Sequence, residues 1–275
     1  MHVEPVAPVR PIHVRRMDFR FDESIDKHWF AKSAVATHLV NAINLLFPAG
    51  ERFFVRSVHH FLDRIDDEEL LAQVKAFSGQ EGQHAREHER YFELLEAQGY
   101  RIRGFLKRYQ RFCYERMERI IPPELRLSAT AACEHFTAIM AENALGDRLL
   151  DGAHPTMQAL LKWHACEEIE HKAVAFDVLQ RINPSYRLRM AGLALSVTTL
   201  GAFWLIALRM LLKQDGLSKA EVREQLKQLH REDPILKNVF WRGIREYARR
   251  DFHPWQNDNA HLARKYLASI GRGAS

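Results

Sequence analysis

The chain predicts an all-α protein, a four-helix bundle with additional helices. Three features carry that expectation. Glycine is sparse, 13 in 275 residues, apolar residues recur at helical spacing over long stretches, and alternating Val-, Ile- and Thr-rich runs are hard to find. Residues 1–14 carry Pro5, Pro8 and Pro11 and read as an extended tail, drawn to residue 20. A first helix is expected over 24–46, stopped near Pro48 and Gly50. A second starts near Glu51 and runs to about Ile65. Asp66 and Asp67 open a long third helix over 67–98 that Gly99 ends. A connecting helix covers 103–120 before Pro122-Pro123. The next runs 124–151 to Gly152, and Pro155 opens another that reaches Ile182 ahead of Pro184. A strongly apolar helix follows over 185–213, with two or three shorter ones after it. The organisation expected is a tail (1–20), a bundle with its connecting helix (21–183), and an apolar helix plus C-terminal helices packed on the bundle (184–275).

Composition narrows the function. An apolar fraction of 47% and a charged fraction of 27% describe a chain that buries a core. The net charge of +5 is spread along the chain and would favour an acidic surface or anionic substrate. No zinc finger, RNP motif or helix-turn-helix pattern stands out, so nucleic acid is not an expected partner. The three cysteines, Cys113, Cys133 and Cys166, are odd in number and widely spaced. With no apolar leader at the N-terminus, the expected location is the cytoplasm.

The chemistry lies in a repeated pattern. Glu81-Gly-Gln-His84 and Glu168-Ile-Glu-His171 are both Glu-x-x-His, and residues three apart on a helix share a face. Glu51 lies 30 residues before Glu81, and Glu134 lies 34 before Glu168. About thirty residues is one helix, a turn and an antiparallel return to the same height at ~1.5 Å per residue. Glu51, Glu81, His84, Glu134, Glu168 and His171 therefore match the ligand plan of ferritin-like di-metal bundles, one Glu from each of two helices and Glu-x-x-His from the other two. Apolar neighbours three and four residues away, such as Phe54, Val55, Val74 and Phe77, place these acids on inward faces. Buried carboxylates are rarely tolerated without a partner, and cations would cancel their charge.

Two metal ions are the expected cofactor. Carboxylate and imidazole donors suit iron first, with manganese or zinc as alternatives. His88, on the ligand face of its helix, and Glu167, beside a ligand, are the candidate catalytic groups, with His164 as a further candidate near the metals. Glu142 is a weaker ligand candidate. Cys133 and Cys166 turn away from the ligand direction and read as core. Small residues Thr137, Ala138 and Ala141 would leave room beside the metals for O2 and a hydrophobic, lipid-like substrate. The leading expectation is a di-iron oxidoreductase that activates O2 to oxidise such a molecule. The alternative is a metal-dependent hydrolase in which the metals activate water. A third is metal storage or an interaction protein.

Four segments in order resemble a known family: Glu51–Phe54, Gln80–His88, Cys133–Ala138 and Trp163–Lys172. They are similar to the bacterial predicted metal-dependent hydrolases, and the resemblance covers roughly residues 15–265. It implies metal-dependent hydrolysis. The same residues resemble the ferritin-like di-iron superfamily, whose members mostly handle O2, and the ligands it implies fall on the six residues above. His88 departs from that minimal plan.

Met190–Leu208 is 19 residues without a charge, the length of a membrane span at ~18 residues or more. Three readings compete: a helix buried on the bundle or across a homodimer, a helix in or on a membrane, or the lining of a channel for a lipid-like substrate. The second would make the protein membrane-associated. The C-terminal aromatics Trp241, Phe252, Trp255 and Tyr266, interleaved with arginines, recur at helical spacing and are expected to dock on the bundle.

Overall fold

The computed structural model describes residues 12–146, 148–232 and 236–271; the proline-bearing stretch 1–11 lies outside them. The fold is all-helical, and among the described residues the only β pairing is a single bridge between Phe30 and Ala153. In chain order the helices are α1 (Ala34–Asn44), α2 (Phe47–His59), α3 (Glu68–Ala97), α4 (Arg103–Arg111), α5 (Glu118–Ile120), α6 (Pro123–Gly146), α7 (Pro155–His171), α8 (Val174–Ile182), α9 (Tyr186–Gln214), α10 (Lys219–Glu232), α11 (Arg242–Tyr247) and α12 (Ala260–Ser269).

The boundaries follow local chemistry and depart from the sequence expectation in several places; the helix expected from Glu51 to Ile65, for one, covers Phe47–His59, and that expected over 124–151 ends at Gly146. The first helix starts ten residues late. Ala31 and Lys32 sit at φ 50° and 54°, which reverses the chain, and Ser33 then caps α1 by accepting from the Ala36 N–H. Pro48 opens α2 instead of ending α1, because the first turn of a helix needs no N–H donor. The helix expected over 155–182 breaks after His171 and resumes at Val174. The long α3 behaves as expected: Asp67 accepts from the Glu69 and Leu70 N–H groups at 3.0 Å, and Gly99 leaves the helix at φ 94°.

Packing sets up the site. α2 lies along α3 and α6 along α7, and the two pairs meet through α2–α6 and α3–α7. Each long helix is apolar at both ends of its inner face. On α3, Val74 and Phe77 belong to one buried cluster with Val58, Phe136 and Phe176. Tyr91 and Leu95 belong to a second with Leu46, Phe53 and Trp163. Between these clusters lies a stretch of buried polar side chains. Behind the pairs, α9 packs on α6 and α1. Gly192 permits that approach: a Cβ there would stand 2.6 Å from Ser128 Cβ. The N-terminal segment is bound to the core, with Phe19 against Trp163 at 5.6 Å between ring centres.

Candidate metal centre

The polar layer gathers the six residues singled out above. Glu51 comes from α2, Glu81 and His84 from α3, Glu134 from α6, and Glu168 and His171 from α7, and none is more than 4% exposed. His171 Nε2 lies 3.3 Å from Glu134 Oε2, 3.4 Å from Glu81 Oε1 and 3.6 Å from Glu168 Oε2. His84 Nδ1 lies 3.8 Å from both Glu81 Oε2 and Glu168 Oε1. Glu81 and Glu168 thus each turn one oxygen to either imidazole. Glu51 joins the His84 side, within 4.8 Å of Glu81 and His84 ligand atoms. Both oxygens of Glu51, Glu81 and Glu134, together with Glu168 Oε2, His84 Nδ1 and His171 Nε2, have no hydrogen bond. Buried polar atoms are almost always bonded, so nine orphans gathered in one layer around two imidazoles fit cationic ligands.

The imidazoles are held from behind. His84 Nε2 lies 3.1 Å from Glu167 Oε2, so the proton belongs on Nε2 and the bare Nδ1 faces the carboxylates. His171 Nδ1 donates to Gln80 Oε1 at 2.8 Å, which turns Nε2 towards the carboxylates, where it would give up its proton to a cation. The two histidines therefore present opposite ring nitrogens, each fixed by an outer partner as metal-binding imidazoles generally are. Glu167 in turn accepts from Trp163 Nε1 at 3.0 Å and Arg15 Nη1 at 3.2 Å. Gln80 Nε2 donates to Glu170 Oε2 at 2.8 Å, and Arg15 also binds Glu170, at 2.7 and 2.8 Å. Glu167, expected among the catalytic groups, faces the back of His84 and positions it. Sequence reasoning missed Arg15, Gln80 and Trp163. Trp163 could have been found four residues before Glu167 on the same face; Arg15 has no local signal at all.

His88 and His164 form a chain on one flank. His164 Nε2 donates to Glu168 Oε1 at 2.8 Å and lies 3.8 Å from Glu51 Oε1. His164 Nδ1 then accepts from His88 Nε2 at 2.7 Å, and His88 Nδ1 has no partner. Phe47 covers both rings, at 4.8 and 4.4 Å. His88, His164 and Glu51 bring ligand atoms within 4.8 Å of one another, so His88 also stands beside a carboxylate of the layer.

Burial dominates the electrostatics. It raises the carboxyls of Glu51 and Glu81 well above the usual range, helped by neighbouring acids, and pushes Glu134 up to about 7. It lowers His84 to about 3 and His164 to about 4. His171 goes the other way: Glu168 and Glu134 outweigh its burial and raise it well above the ordinary histidine value. Glu168 is held low against its burial by His171 and His164. Without a cation, the site must keep protons to offset its own negative charge.

Other expectations fall elsewhere. Glu142 is bound by Arg242 at 3.1 Å and by Asn257 and Asn259, away from the cluster. Cys166 is core with Ala141, Ile169 and Ala263, and Cys133 faces Ser196 Oγ at 3.0 Å. Thr137, Ala138 and Ala141, beside which room was expected, lie inside the fold. All three are buried, Ala141 packs in that same Ala263 cluster, and Ala138 borders a cavity of about 110 Å³ shared with Lys172 and His253.

The donors, carboxylates and neutral imidazoles without a thiolate, suit hard or borderline divalent metals. Comparison with known proteins points the same way. The family described as predicted metal-dependent hydrolase matches residues 13–258, while no curated protein and no solved structure gives a significant match. This match overturns the O2-activating di-iron oxidoreductase expected first and sides with the hydrolytic alternative. The physical reason is that carboxylate and imidazole ligands serve redox and Lewis-acid metals alike, so the ligand set alone favoured neither reaction. Spanning nearly the whole chain, the match shows that this protein belongs to the predicted metal-dependent hydrolase family.

Proposed function

We propose that the protein is a hydrolase of a small organic substrate and that it works with two divalent metal ions in a ferritin-like arrangement of α2, α3, α6 and α7. His171 and Glu134 would hold one ion, His84 and Glu51 the other, with Glu81 and Glu168 shared. The observation that carries this reading is the convergence of nine orphaned donor atoms between two imidazoles already turned by Glu167 and Gln80. Four carboxylates against two divalent ions also leave the buried site neutral. Bound there, the metals supply Lewis-acid activation of water and of the carbonyl or phosphoryl group it attacks.

The protein's own groups supply the rest. Glu167 and Gln80 keep one nitrogen of each imidazole, Nδ1 of His84 and Nε2 of His171, aimed inward. His88 and His164 form a proton relay that runs inward: a proton taken up at His88 Nδ1 would send the His88 Nε2 proton to His164 Nδ1 and the His164 Nε2 proton to Glu168 Oε1. Burial keeps both rings neutral at rest, the state in which such a relay can hand a proton inward to a leaving group. Phe47 shields them from solvent.

Elemental analysis of purified protein beside Glu81→Ala and Glu168→Ala tests the site. We expect metal in the wild type and its loss in both variants. Assays with chromogenic carboxylic and phosphoric esters in Zn(II) or Mn(II), without oxygen, test the chemistry. Hydrolysis that disappears with chelation is the expected result. Metal-loaded protein that cleaves none of these bonds would overturn the hydrolytic reading.

A further inference from the structure

α9 is the one helix among the described residues that is long and apolar enough to cross a membrane, yet only 28% of its most apolar window is buried. Its inner face is committed: Gly192 meets Ser128 of α6, and Trp204 Nε1 donates to the Leu39 carbonyl of α1 at 3.0 Å. The outer face is an exposed stripe. Ala191, Ala194, Thr198, Ala202 and Leu205 follow in steps of three and four, with Arg187 at one end and Arg209 at the other. Leu205 and Ile206 are 53% and 51% exposed.

At its C-terminal end the stripe opens into a groove of about 1630 Å³ between α9, α10 and the start of α4. Eight basic side chains line it, among them Arg108, Arg209, Lys213, Arg223 and Lys227, and no acidic one does. Ile206 and Leu226, which is 40% exposed, stand among them. Of the basic groups, Lys227 lies 3.8 Å from Glu224, while Arg209, Lys213 and Arg223 pair with no described carboxylate.

We propose that this face docks on an anionic phospholipid bilayer, with the α9 stripe and Leu226 at the acyl boundary and the basic groove on the headgroups. Interfacial helices combine these features, an aliphatic face with Lys and Arg beside it. Charge complementarity selects the occupant. A second copy meeting this face by twofold symmetry would set eight positive groups against eight. A single-stranded nucleic acid would meet exposed aliphatic chains instead of aromatic platforms. The committed inner face argues for a helix lying along the bilayer surface, not through it. The inference is independent of the hydrolytic reading.

Co-sedimentation of the full chain with vesicles tests it, using neutral phosphatidylcholine alone or with about a third phosphatidylglycerol. We expect binding to the anionic vesicles at least about tenfold stronger, weakened by salt. Combined Arg209→Glu, Lys213→Glu and Arg223→Glu should remove that preference. Leu205→Ser with Ile206→Ser should weaken anionic binding while the charges remain. Unchanged metal content and thermal transition in each variant report an intact fold. Equal or absent binding of the wild type to both vesicles overturns the proposal, whatever the variants do. So does retained binding after charge reversal, displacement from vesicles by single-stranded RNA, or a dimer that Leu205→Ser dissociates.

Discussion

Metal removal offers the sharpest test of the centre. Nine buried nitrogen and oxygen atoms lack hydrogen bonds there, and an unsatisfied buried polar group costs about 1–3 kcal/mol. The sum, about 9–27 kcal/mol, is of the same order as the ~5–15 kcal/mol stability of a whole domain. Protons relieve part of it, which is why Glu51, Glu81 and Glu134 are raised, and cations relieve more. An ion present at about a thousandfold over its Kd adds about 4 kcal/mol, so two add about 8. At roughly 2–4 °C per kcal/mol for a chain of this order, chelation should lower Tm by about 15 °C or more. Calorimetry with and without a strong chelator measures it. Glu81→Gln supplies the control. Glu81 faces both imidazoles, so its loss should abolish the metal response. Because burial already makes Glu81 hold its proton, glutamine should leave the metal-free protein about as stable as the chelated wild type. A wild-type Tm indifferent to chelation, in protein shown to contain metal, would refute the reasoning. So would a Glu81→Gln protein that still responds in full.

Three further outcomes follow from the same geometry. Glu167→Gln removes the carboxylate behind His84 but keeps its size, so metal affinity should fall roughly 10–100-fold with little change in metal-free Tm; competition against a chromophoric chelator reads this, and unchanged affinity would sink the positioning role. Metal affinity should fall as pH drops through about 7, where Glu134 takes up its proton, and rise above it, because protons and metal compete for the same oxygens. The same competition over a pH series checks the sign, and tighter binding on acidification would contradict it. Gly192→Ala should destabilise by about 1–3 kcal/mol, since its Cβ would stand 2.5 Å from the Ser128 carbonyl carbon; urea denaturation measures this, and a neutral effect would show that α9 can move off α6.

Much of the site was legible because its logic is periodic. Glu81 and His84, and Glu168 and His171, share a face by being three apart, and a return of about thirty residues puts Glu51 and Glu134 at the same height. Asp67 and Gly99 marked the ends of α3 through capping chemistry that acts within a few residues. Pro48 misled because a proline can stop one helix or begin the next, and only the packing of α1 on α2 chooses.

The sequence alone determined an all-helical chain with four acids and two Glu-x-x-His pairs on inward faces, since helical period is a property of neighbours. Only the tertiary structure decided that His84 presents Nδ1 and His171 presents Nε2, because each choice depends on a group from another turn or helix. Arg15 reaches Glu167 across 152 residues, and no local pattern encodes such a contact. The face that α9 leaves open was likewise settled in three dimensions, where α1, α6 and the aromatics of α4 cover part of an evenly apolar helix and leave the stripe from Ala191 to Leu205 exposed.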